Sequence, residues 1–441
     1  MNTPTLSDQG YRIAKLLVVC TASVFVFFGT YGRSGADPAN SRLATVYALT
    51  EYGTFYIDRP LDADPIPFEQ RTIDKVMVRG ERIGDTVHGG RLISSKPPVF
   101  PLLMTAEYVL INGVLGWDLE RGEDVKRILF TISVTLIGLA YVIALVFFCR
   151  TLELFIEDPL TRIVLLVGLA FGTQLWGFST MLNNHVPAAS MLVVSLYLCL
   201  ALGSGKVAPA AWRFFLFGLT GALVFTFDMP ATVFVAIAGL HLLRKFPSKT
   251  LLWATAGAVV PLGIHFGVMV AVTGSPLPVQ MRGELYHYES SYWRHPRGID
   301  ALNEPKLTYL FHMTLGRCGL FSLYPVLLVG AFSAVRALVR KGAVHRGPIL
   351  AGAVGFAVLT AYYALRTNNY GGEAYGFRWY IVAAPVLLLM GAPLVATVRR
   401  RWQWVLLGIM IGISFFSAWE CTRTGWRANQ EWICHLLGPS Y

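Results

Sequence analysis

Residues 13–31 read IAKLLVVCTASVFVFFGTY, an apolar run in which Lys15 is the one charged side chain. A run of roughly 20 apolar residues crosses a hydrocarbon core of about 30 Å as a helix. This run is longer than the core of a signal peptide and is not followed by a clear small-x-small cleavage site. We therefore predict that it is retained as a membrane-spanning helix.

The rest of the chain repeats this pattern. Of its 441 residues, 54% are hydrophobic and only 14% are charged, which is outside the range of soluble globular domains. Further apolar runs cover residues 99–115, 128–149, 163–182, 186–203, 214–243, 251–273, 320–335, 348–365, 380–398 and 404–419. The sequence predicts an all-α polytopic membrane protein that forms a single integral membrane domain over residues 1–441.

Two of these runs do not behave as simple spans. Residues 214–243 are too many for one untilted span and are interrupted by Asp228-Met229-Pro230, so we predict two short helices that return to the same side. Residues 99–115 include Pro101 and Glu107 and are barely long enough to cross. We predict that this second run lies in the membrane interface without crossing.

The charge pattern supports that choice. With residues 99–115 in the interface, the short basic segments all fall on one face of the membrane, as the positive-inside rule requires. These segments contain Arg12/Lys15, Arg150/Arg162, Lys206/Arg213, Arg244/Lys245/Lys249, Arg336/Arg340/Lys341/Arg346 and Arg399/Arg400/Arg401. The net charge of +11 is then a topology signal that does not indicate nucleic-acid binding.

This topology predicts about eleven spans, with the N-terminus inside and the C-terminus outside. It places residues 32–127 in a large first extracytoplasmic loop with juxtamembrane helices, and residues 274–318 in a second one. Polar residues that are unusual near a membrane gather on the same outer face, where ionisable groups are candidates for function. They include Asp37, Lys96, Asn184, His185, Asp228 and Arg378.

The first loop carries a recognisable arrangement. Residues 37–44 read DPANSRLA, residues 53–57 read GTFYI, and residues 95–98 read SKPP just before the interfacial run. This arrangement resembles the first outer loop of the GT-C superfamily, in its protein mannosyltransferase and aminoarabinose transferase branch. The later run YGGEAYGFRWY, residues 370–380, is similar to bacterial relatives of the RgtA/B/C/D-like group.

The resemblance implies a polyprenyl-phosphate sugar as donor and an acceptor at the extracytoplasmic surface. It implies that Asp37 acts as general base or orients the acceptor, and that Lys96 contacts the carrier phosphate. Arg378 follows a Gly-Gly turn and opens an apolar helix, so its guanidinium is a further candidate for phosphate binding. The alternatives are a helix N-cap for Asp37, a snorkelling lysine for Lys96 and an interfacial anchor for Arg378.

Two positions depart from the family pattern. Ser95 stands where the aminoarabinose branch has glutamate, and Asn184-His185-Val186-Pro187 stands where relatives carry a second acid. No metal ligands are assigned, although a divalent metal remains possible, and a hydrogen-bonded histidine is favoured over a metal ligand for His185. Further substrate-binding candidates are Asn184, His185, Asp228, Glu284, His287, Tyr370 and Glu373.

The sequence therefore favours a membrane glycosyltransferase. It would transfer a sugar from a polyprenyl-phosphate donor to a lipid, glycan or protein acceptor, with its active site facing outward from the cytoplasmic (inner) membrane. Membrane lipid is an expected partner, and no cofactor is assigned. The alternative is a transporter or flippase of lipid-linked sugars, which should show broken helices in related positions of two halves. We find no such repeat.

Overall fold

A computed structural model describes residues 7–30, 36–58 and 66–438, and this part of the chain is mostly helical. The apolar runs form long helices, as their length and composition predict. The helices are α1 (Asp8–Gly29), α2 (Asp37–Tyr52), α3 (Val99–Leu115), α4 (Gly122–Phe155), α5 (Pro159–Phe171), α6 (His185–Gly203), α7 (Ala211–Phe227), α8 (Thr232–Lys245), α9 (Pro247–Thr273), α10 (Lys306–Thr314), α11 (Pro325–Val339), α12 (Arg346–Arg366), α13 (Ala383–Val395), α14 (Arg401–Thr424) and α15 (Trp432–Leu437).

Some of these helices are long and apolar enough to span a membrane, and others are shorter. Among the described residues, six helices are long and apolar enough to cross a membrane: α1, α4, α6, α9, α12 and α14. Five shorter apolar helices accompany them: α3, α5, α7, α11 and α13. The predicted all-α, multi-pass membrane class is confirmed, while the count of about eleven spans stays a prediction.

The predicted break at Asp228 is present. Helix α7 ends at Phe227, a short 3-10 turn covers Met229–Ala231, and α8 begins at Thr232. The two helices pack closely, since a Cβ placed on Gly221 of α7 would lie only 2.6 Å from Cγ1 of Val235 in α8. Lys249, which follows α8, donates a hydrogen bond to the carbonyl of Pro209, just before α7 begins at Ala211. The chain therefore returns to the end of the bundle where α7 began.

The basic segments meet at one end of the bundle, which we call the basic end. Lys15 at the start of α1 pairs with Glu153 at the end of α4, with 2.8 Å between Nζ and Oε1. The ends of α4 and α6 lie together, since the rings of Phe147 and Tyr197 are 5.3 Å apart. Lysine and arginine side chains donate to main-chain carbonyls there, in the pairs Lys245 to Gly203, Lys249 to Pro209 and Arg346 to Ala337.

Helix α3 starts and finishes at the opposite end. Near its start, the Phe100 ring lies 5.6 Å from the ring of Phe227, the last residue of α7. Near its finish, Tyr108 accepts a hydrogen bond from the Leu119 amide, just before α4 begins. Both ends of α3 thus lie away from the basic end, which is the arrangement that an interfacial helix requires.

A small β-ribbon, which the sequence analysis did not predict, lies between α2 and α3. Strand β1 (Lys75–Val78) pairs antiparallel with β4 (Arg91–Ser94), and β2 (Glu81–Ile83) pairs antiparallel with β3 (Thr86–His88). Tyr56, in the predicted extended stretch, forms a bridge with Ile93 of β4.

Both predicted outer loops contain irregular structure. Residues 32–35 and 59–65 of the first loop lie outside the described residues. The second loop, residues 274–318, consists of short 3-10 turns followed by α10. The assignment of either loop to the outside of the cell stays a prediction.

Candidate active site

Seven ionisable side chains converge at the end of the bundle opposite the basic end. We call them the charged cluster. It contains the cations Arg42, Lys96 and Arg378 and the carboxylates Asp37, Asp74, Asp228 and Asp300. The first loop contributes four of its members, and the other three come from distant parts of the chain.

Asp37 is the first residue of α2 and faces the loop. Its Oδ1 accepts a hydrogen bond from the Ile73 amide at 3.0 Å, and its main-chain carbonyl accepts one from the Thr72 hydroxyl at 2.8 Å. The N-cap of α2 is Ala36, without a side-chain cap. The carboxylate therefore braces the segment before β1, which differs from the N-cap role considered as its alternative.

Burial raises the pKa of Asp37, and the carboxylates of Asp74 and Asp300 add to the rise. The Ile73 amide and the Lys96 ammonium act in the opposite direction without cancelling it. Burial disfavours a charged carboxylate, and neighbouring negative charges do the same. The result is a carboxylate more basic than an ordinary aspartate.

Lys96 is paired inside the protein. Its Nζ lies 2.8 Å from Oδ1 of Asp74, and the two side chains are 19% and 15% exposed. The ribbon explains the pairing: Asp74 precedes β1 and Lys96 follows β4, and the Ser95 amide donates to the Asp74 carbonyl at 3.0 Å. Burial lowers the pKa of Lys96, opposed by Asp74.

Arg42 lies one and a half turns along α2 from Asp37 and is only 1% exposed. One guanidinium nitrogen donates to the Pro38 carbonyl at 2.9 Å, and another donates to the side-chain oxygen of Asn184. The Asn184 amide group in turn donates to the Phe227 carbonyl at 2.6 Å. Asn184 therefore joins α2 to the ends of α6 and α7.

Arg378 completes the set of cations. Its guanidinium lies 4.9 Å from the centre of the Trp426 ring. Burial lowers the pKa of Arg378. The opposite effect comes from four carboxylates, those of Asp74, Asp300, Asp228 and Asp37, which raise it. Behind it, the Gly376 amide donates to Oε1 of fully buried Glu431 at 2.6 Å. The segment after α14 thus contacts both Arg378 and the turn that precedes it.

His185 and Asp228 form a buried pair. His185 Nδ1 lies 2.7 Å from Asp228 Oδ2, which accounts for both predicted residues through a mutual hydrogen bond. Within the described ranges, no group of three or more His, Cys, Asp and Glu side chains is arranged to hold a metal ion. The residues present therefore do not form a recognisable metal centre.

The other predicted residues lie at different distances from the cluster. Glu373 is exposed at its edge and acts electrostatically on Asp300, whose carboxylate accepts from Asn369 at 2.7 Å. Tyr370 packs its ring 4.5 Å from that of Tyr309 and donates its hydroxyl to Glu304. Both residues border the site without joining the charged cluster.

Glu284 and His287 are not brought into the cluster. Glu284 pairs with Arg282, with 3.1 Å between Oε1 and Nε, in a separate cavity. His287 is exposed, and its carbonyl accepts from the Val87 amide of β3. Between them, Tyr286 approaches Asp74 and Ser95. A role in substrate binding stays a prediction for both residues.

Four important members of this region carried no predicted role: Arg42, Asp74, Asp300 and Trp426. Arg42 stood in the quoted motif, where its spacing of five residues from Asp37 within one helix could have singled it out as a cation near the acid. Asp74 and Asp300 carried no spacing signal, because the ribbon and the second loop bring them in. Trp426 was hidden among the other aromatic residues that follow a membrane-spanning helix.

Comparison with known proteins gives structural matches only. No protein-family model matches the sequence, and no curated protein matches it either. A crystal structure of ArnT from Cupriavidus metallidurans bound to undecaprenyl phosphate matches with a TM-score of 0.50 at 13% identity, over 91% of this chain and 63% of that chain. The apo structure of the same protein gives 0.52 at 11%, over 89% and 61%.

The chain therefore spans less than two thirds of the length of ArnT. At these identities the match establishes the arrangement of helices and not the reaction. The predicted fold is confirmed at that level: this chain is an all-α, multi-pass membrane protein that shares its fold with ArnT.

Proposed function

We propose that this protein transfers a sugar from a polyprenyl-phosphate donor to a lipid, glycan or protein acceptor at the extracytoplasmic face of the membrane. The observation that carries the proposal is the charged cluster, in which three buried or half-buried cations surround a carboxylate of raised pKa. ArnT, which shares the fold, has been crystallised with undecaprenyl phosphate, a ligand of this chemical class.

The cations fit a phosphate ligand. In the described part of the chain, the Nε atoms of Arg42 and Arg378 are buried and have no hydrogen-bond acceptor. A buried donor without an acceptor is costly, and an anionic ligand would remove that cost. Guanidinium groups bind phosphate oxygens in pairs, with stronger hydrogen bonds than neutral donors make. Arg42, Arg378 and Lys96 are the residues that we assign to the donor phosphate.

Asp37 is the residue that we assign as general base. As the acceptor oxygen forms its bond to the anomeric carbon, the Asp37 carboxylate takes the proton from that oxygen. The bond between the anomeric carbon and the phosphate oxygen breaks, and its electron pair leaves with the phosphate. The three cations then stabilise the charge that develops on the leaving group. Inversion at carbon requires one base, so a second catalytic carboxylate is not needed.

Lys96 and Asp74 must change partners in this scheme. Without substrate, the ammonium of Lys96 is neutralised by Asp74 at 2.8 Å. A donor phosphate would compete with Asp74 for the same ammonium. We propose that Asp74 holds Lys96 in place between turnovers and that Lys96 binds the phosphate when the donor arrives.

A direct test uses purified protein in detergent or nanodiscs with a labelled polyprenyl-phosphate sugar and candidate acceptors. The proposal expects release of free polyprenyl phosphate that depends on the acceptor. Binding of the donor or its movement between leaflets, without cleavage of the sugar–phosphate bond, would instead support a transporter and would overturn the proposed transfer.

The face of the membrane has its own test. Because basic segments are retained in the cytoplasm, we propose that the charged cluster lies outside. Cysteine introduced at Arg121, beside the cluster end, should react with a membrane-impermeant maleimide on intact cells. Cysteine introduced at Lys341, at the basic end, should react only after lysis. The reverse pattern would contradict the proposed orientation.

A further inference from the structure

A second cavity, separate from the charged cluster, lies between the β-ribbon and the end of α9. Its volume is about 430 Å³. Its lining residues are Arg79, Gly80, Arg82, Val87, Thr273, Arg282, Glu284 and Leu285. Three arginines and one glutamate give this lining a net charge of +2, which we take as the starting point for a ligand. We call it the arginine cavity.

The three arginines come from two different parts of the chain. Arg79 is fixed by the end of α9, where its Nε donates to the Val272 carbonyl at 2.8 Å and a second nitrogen donates to the Ala271 carbonyl. Arg82 donates its Nε to the Gly84 carbonyl at 3.1 Å. Arg282 donates its Nε to Glu284. In each arginine at least one terminal nitrogen is left over for a ligand, because a guanidinium carries five N–H donors.

The cavity lies at the level where a membrane span ends. Helix α9, one of the six candidate spans, finishes at Thr273, which lines the cavity. Exposed apolar side chains lie close in sequence to its lining residues: Ile83 is 60% exposed, Leu277 is 54% exposed and Met281 is 63% exposed. Apolar side chains beside arginines at a span end are suited to the boundary between acyl chains and headgroups.

We propose that the arginine cavity binds the phosphate of an anionic membrane phospholipid. The guanidinium groups would hold the phosphate oxygens through charge-assisted hydrogen bonds, and the apolar side chains around the cavity would contact the acyl chains. Those apolar side chains favour a lipid over soluble phosphate, because soluble phosphate has no acyl chains that could contact them. The inference goes beyond the proposed transfer reaction and does not depend on it.

The position of the cavity gives this lipid a structural consequence. Leu285 lines the cavity, while the next residue, Tyr286, approaches Asp74 and Ser95 of the active-site region. Gln280, just before Arg282, donates a hydrogen bond to the Ser95 carbonyl. A headgroup held by Arg82 and Arg282 would therefore join the ribbon to the second loop beside the active site.

The test measures lipid retention by the full-length protein. Wild-type protein and the double variant R82Q/R282Q are purified, exchanged into mixed phosphatidylcholine and phosphatidylglycerol, and compared by native mass spectrometry. Each cation near an anionic headgroup contributes about 1 kcal/mol, so two lost charges should reduce the preference for phosphatidylglycerol on the order of 30-fold. Arg79 is left intact because it caps α9.

A matched control removes the same charge outside the cavity. The variant R121Q/K126Q changes two exposed side chains at the same end of the bundle, one just before α4 and one in its first turns, and should retain the wild-type preference within a few-fold. Equal losses in both double variants would overturn the proposal in favour of general electrostatic attraction. The variant R82K/R282K keeps the charge and removes the guanidinium forks, so its preference for phosphatidylglycerol should lie between those of the wild type and R82Q/R282Q. Thermal unfolding of each variant checks that it is folded.

A second arm separates lipid from soluble phosphate. Wild-type protein in pure phosphatidylcholine nanodiscs is titrated with inorganic phosphate while its thermal unfolding is followed. The proposal expects stabilisation by phosphatidylglycerol and none from inorganic phosphate. Stabilisation by inorganic phosphate that is lost in R82Q/R282Q, without an effect of phosphatidylglycerol, would overturn the assignment to a lipid.

Discussion

The two ends of the helical bundle both carry lysines and arginines, yet they use them in different ways. At the basic end, cations such as Lys245 and Lys249 are exposed and donate to main-chain carbonyls. In the charged cluster, Arg42 is buried, Lys96 pairs with Asp74, and Arg378 lies among four carboxylates. The first arrangement is the one that the positive-inside rule associates with a cytoplasmic face, and the second is suited to a bound anion.

The largest loss of turnover from a single substitution should occur at Asp37 in the charged cluster. In D37N the amide cannot take a proton, so turnover should fall by about 10²- to 10⁴-fold, the contribution of a general base. The measurement is turnover at saturating donor, with expression and thermal unfolding monitored. E123Q, which removes a carboxylate that is 80% exposed at the same end, should leave turnover unchanged. Near-normal turnover in D37N would remove Asp37 from the mechanism.

The second largest loss of turnover should follow removal of the Arg378 cation from the charged cluster. R378Q should lower turnover by roughly 10²- to 10³-fold if the guanidinium stabilises charge on the leaving phosphate. K245Q removes a cation from the basic end and should keep wild-type turnover in protein that has inserted normally. R378K, which keeps the charge without the fork, should lie between them. Similar losses from R378Q and K245Q would erase the proposed distinction between the ends.

A smaller effect is expected at Trp426. Its ring lies 4.9 Å from the Arg378 guanidinium, and such an interaction contributes about 0.5–2 kcal/mol. W426A should therefore raise the KM for the donor by about 2- to 30-fold, with a smaller change in kcat. W402A removes a tryptophan that is 59% exposed at the basic end and serves as the control. An unchanged KM in W426A would show that Arg378 does not need this support.

The smallest effect should be a shift in pH dependence. Because burial first and Asp74 next raise the pKa of Asp37, activity should fall with decreasing pH earlier than for an ordinary aspartate. D74N removes one negative neighbour and frees Lys96, and both changes lower the pKa of Asp37. The acid limb of kcat/KM should therefore move to lower pH in D74N. Movement to higher pH would contradict the assigned base.

Most of the fold followed from the sequence, because apolar length and proline breaks are local properties. The run over residues 214–243 shows this well, since Asp228-Met229-Pro230 marks where the helix ends. The ribbon was missed because its strands are only three or four residues long and are separated by closely spaced glycines. Short strands of this kind depend on pairing between residues distant in sequence.

The sequence predicted which types of side chain form the site, but it did not predict all of the residues that the fold brings there. Asp37 and Lys96 were chosen from the resemblance of the first loop and Arg378 from its position at the start of an apolar helix, and the structure brings the three together. Asp74 joins them through the pairing of β1 with β4, which the sequence pattern does not encode. Glu284 and His287 were chosen from the composition of their loop. Composition does not reveal which side of a 3-10 turn faces the site, and Tyr286 occupies that side instead.

The long helix α4 also provides a depth scale for the protein. Between Arg127 and Arg150 it contains an uncharged stretch of a length that matches a hydrocarbon layer of about 30 Å. Its first turn and a half, from Gly122 to Arg127, would then rise into the headgroup layer. Thr135 lies about two turns inside that boundary, and its hydroxyl donates to Glu107 of α3. That contact fixes α3 at a shallow depth in the layer, close to the level at which the acyl chains of a lipid meet its headgroup.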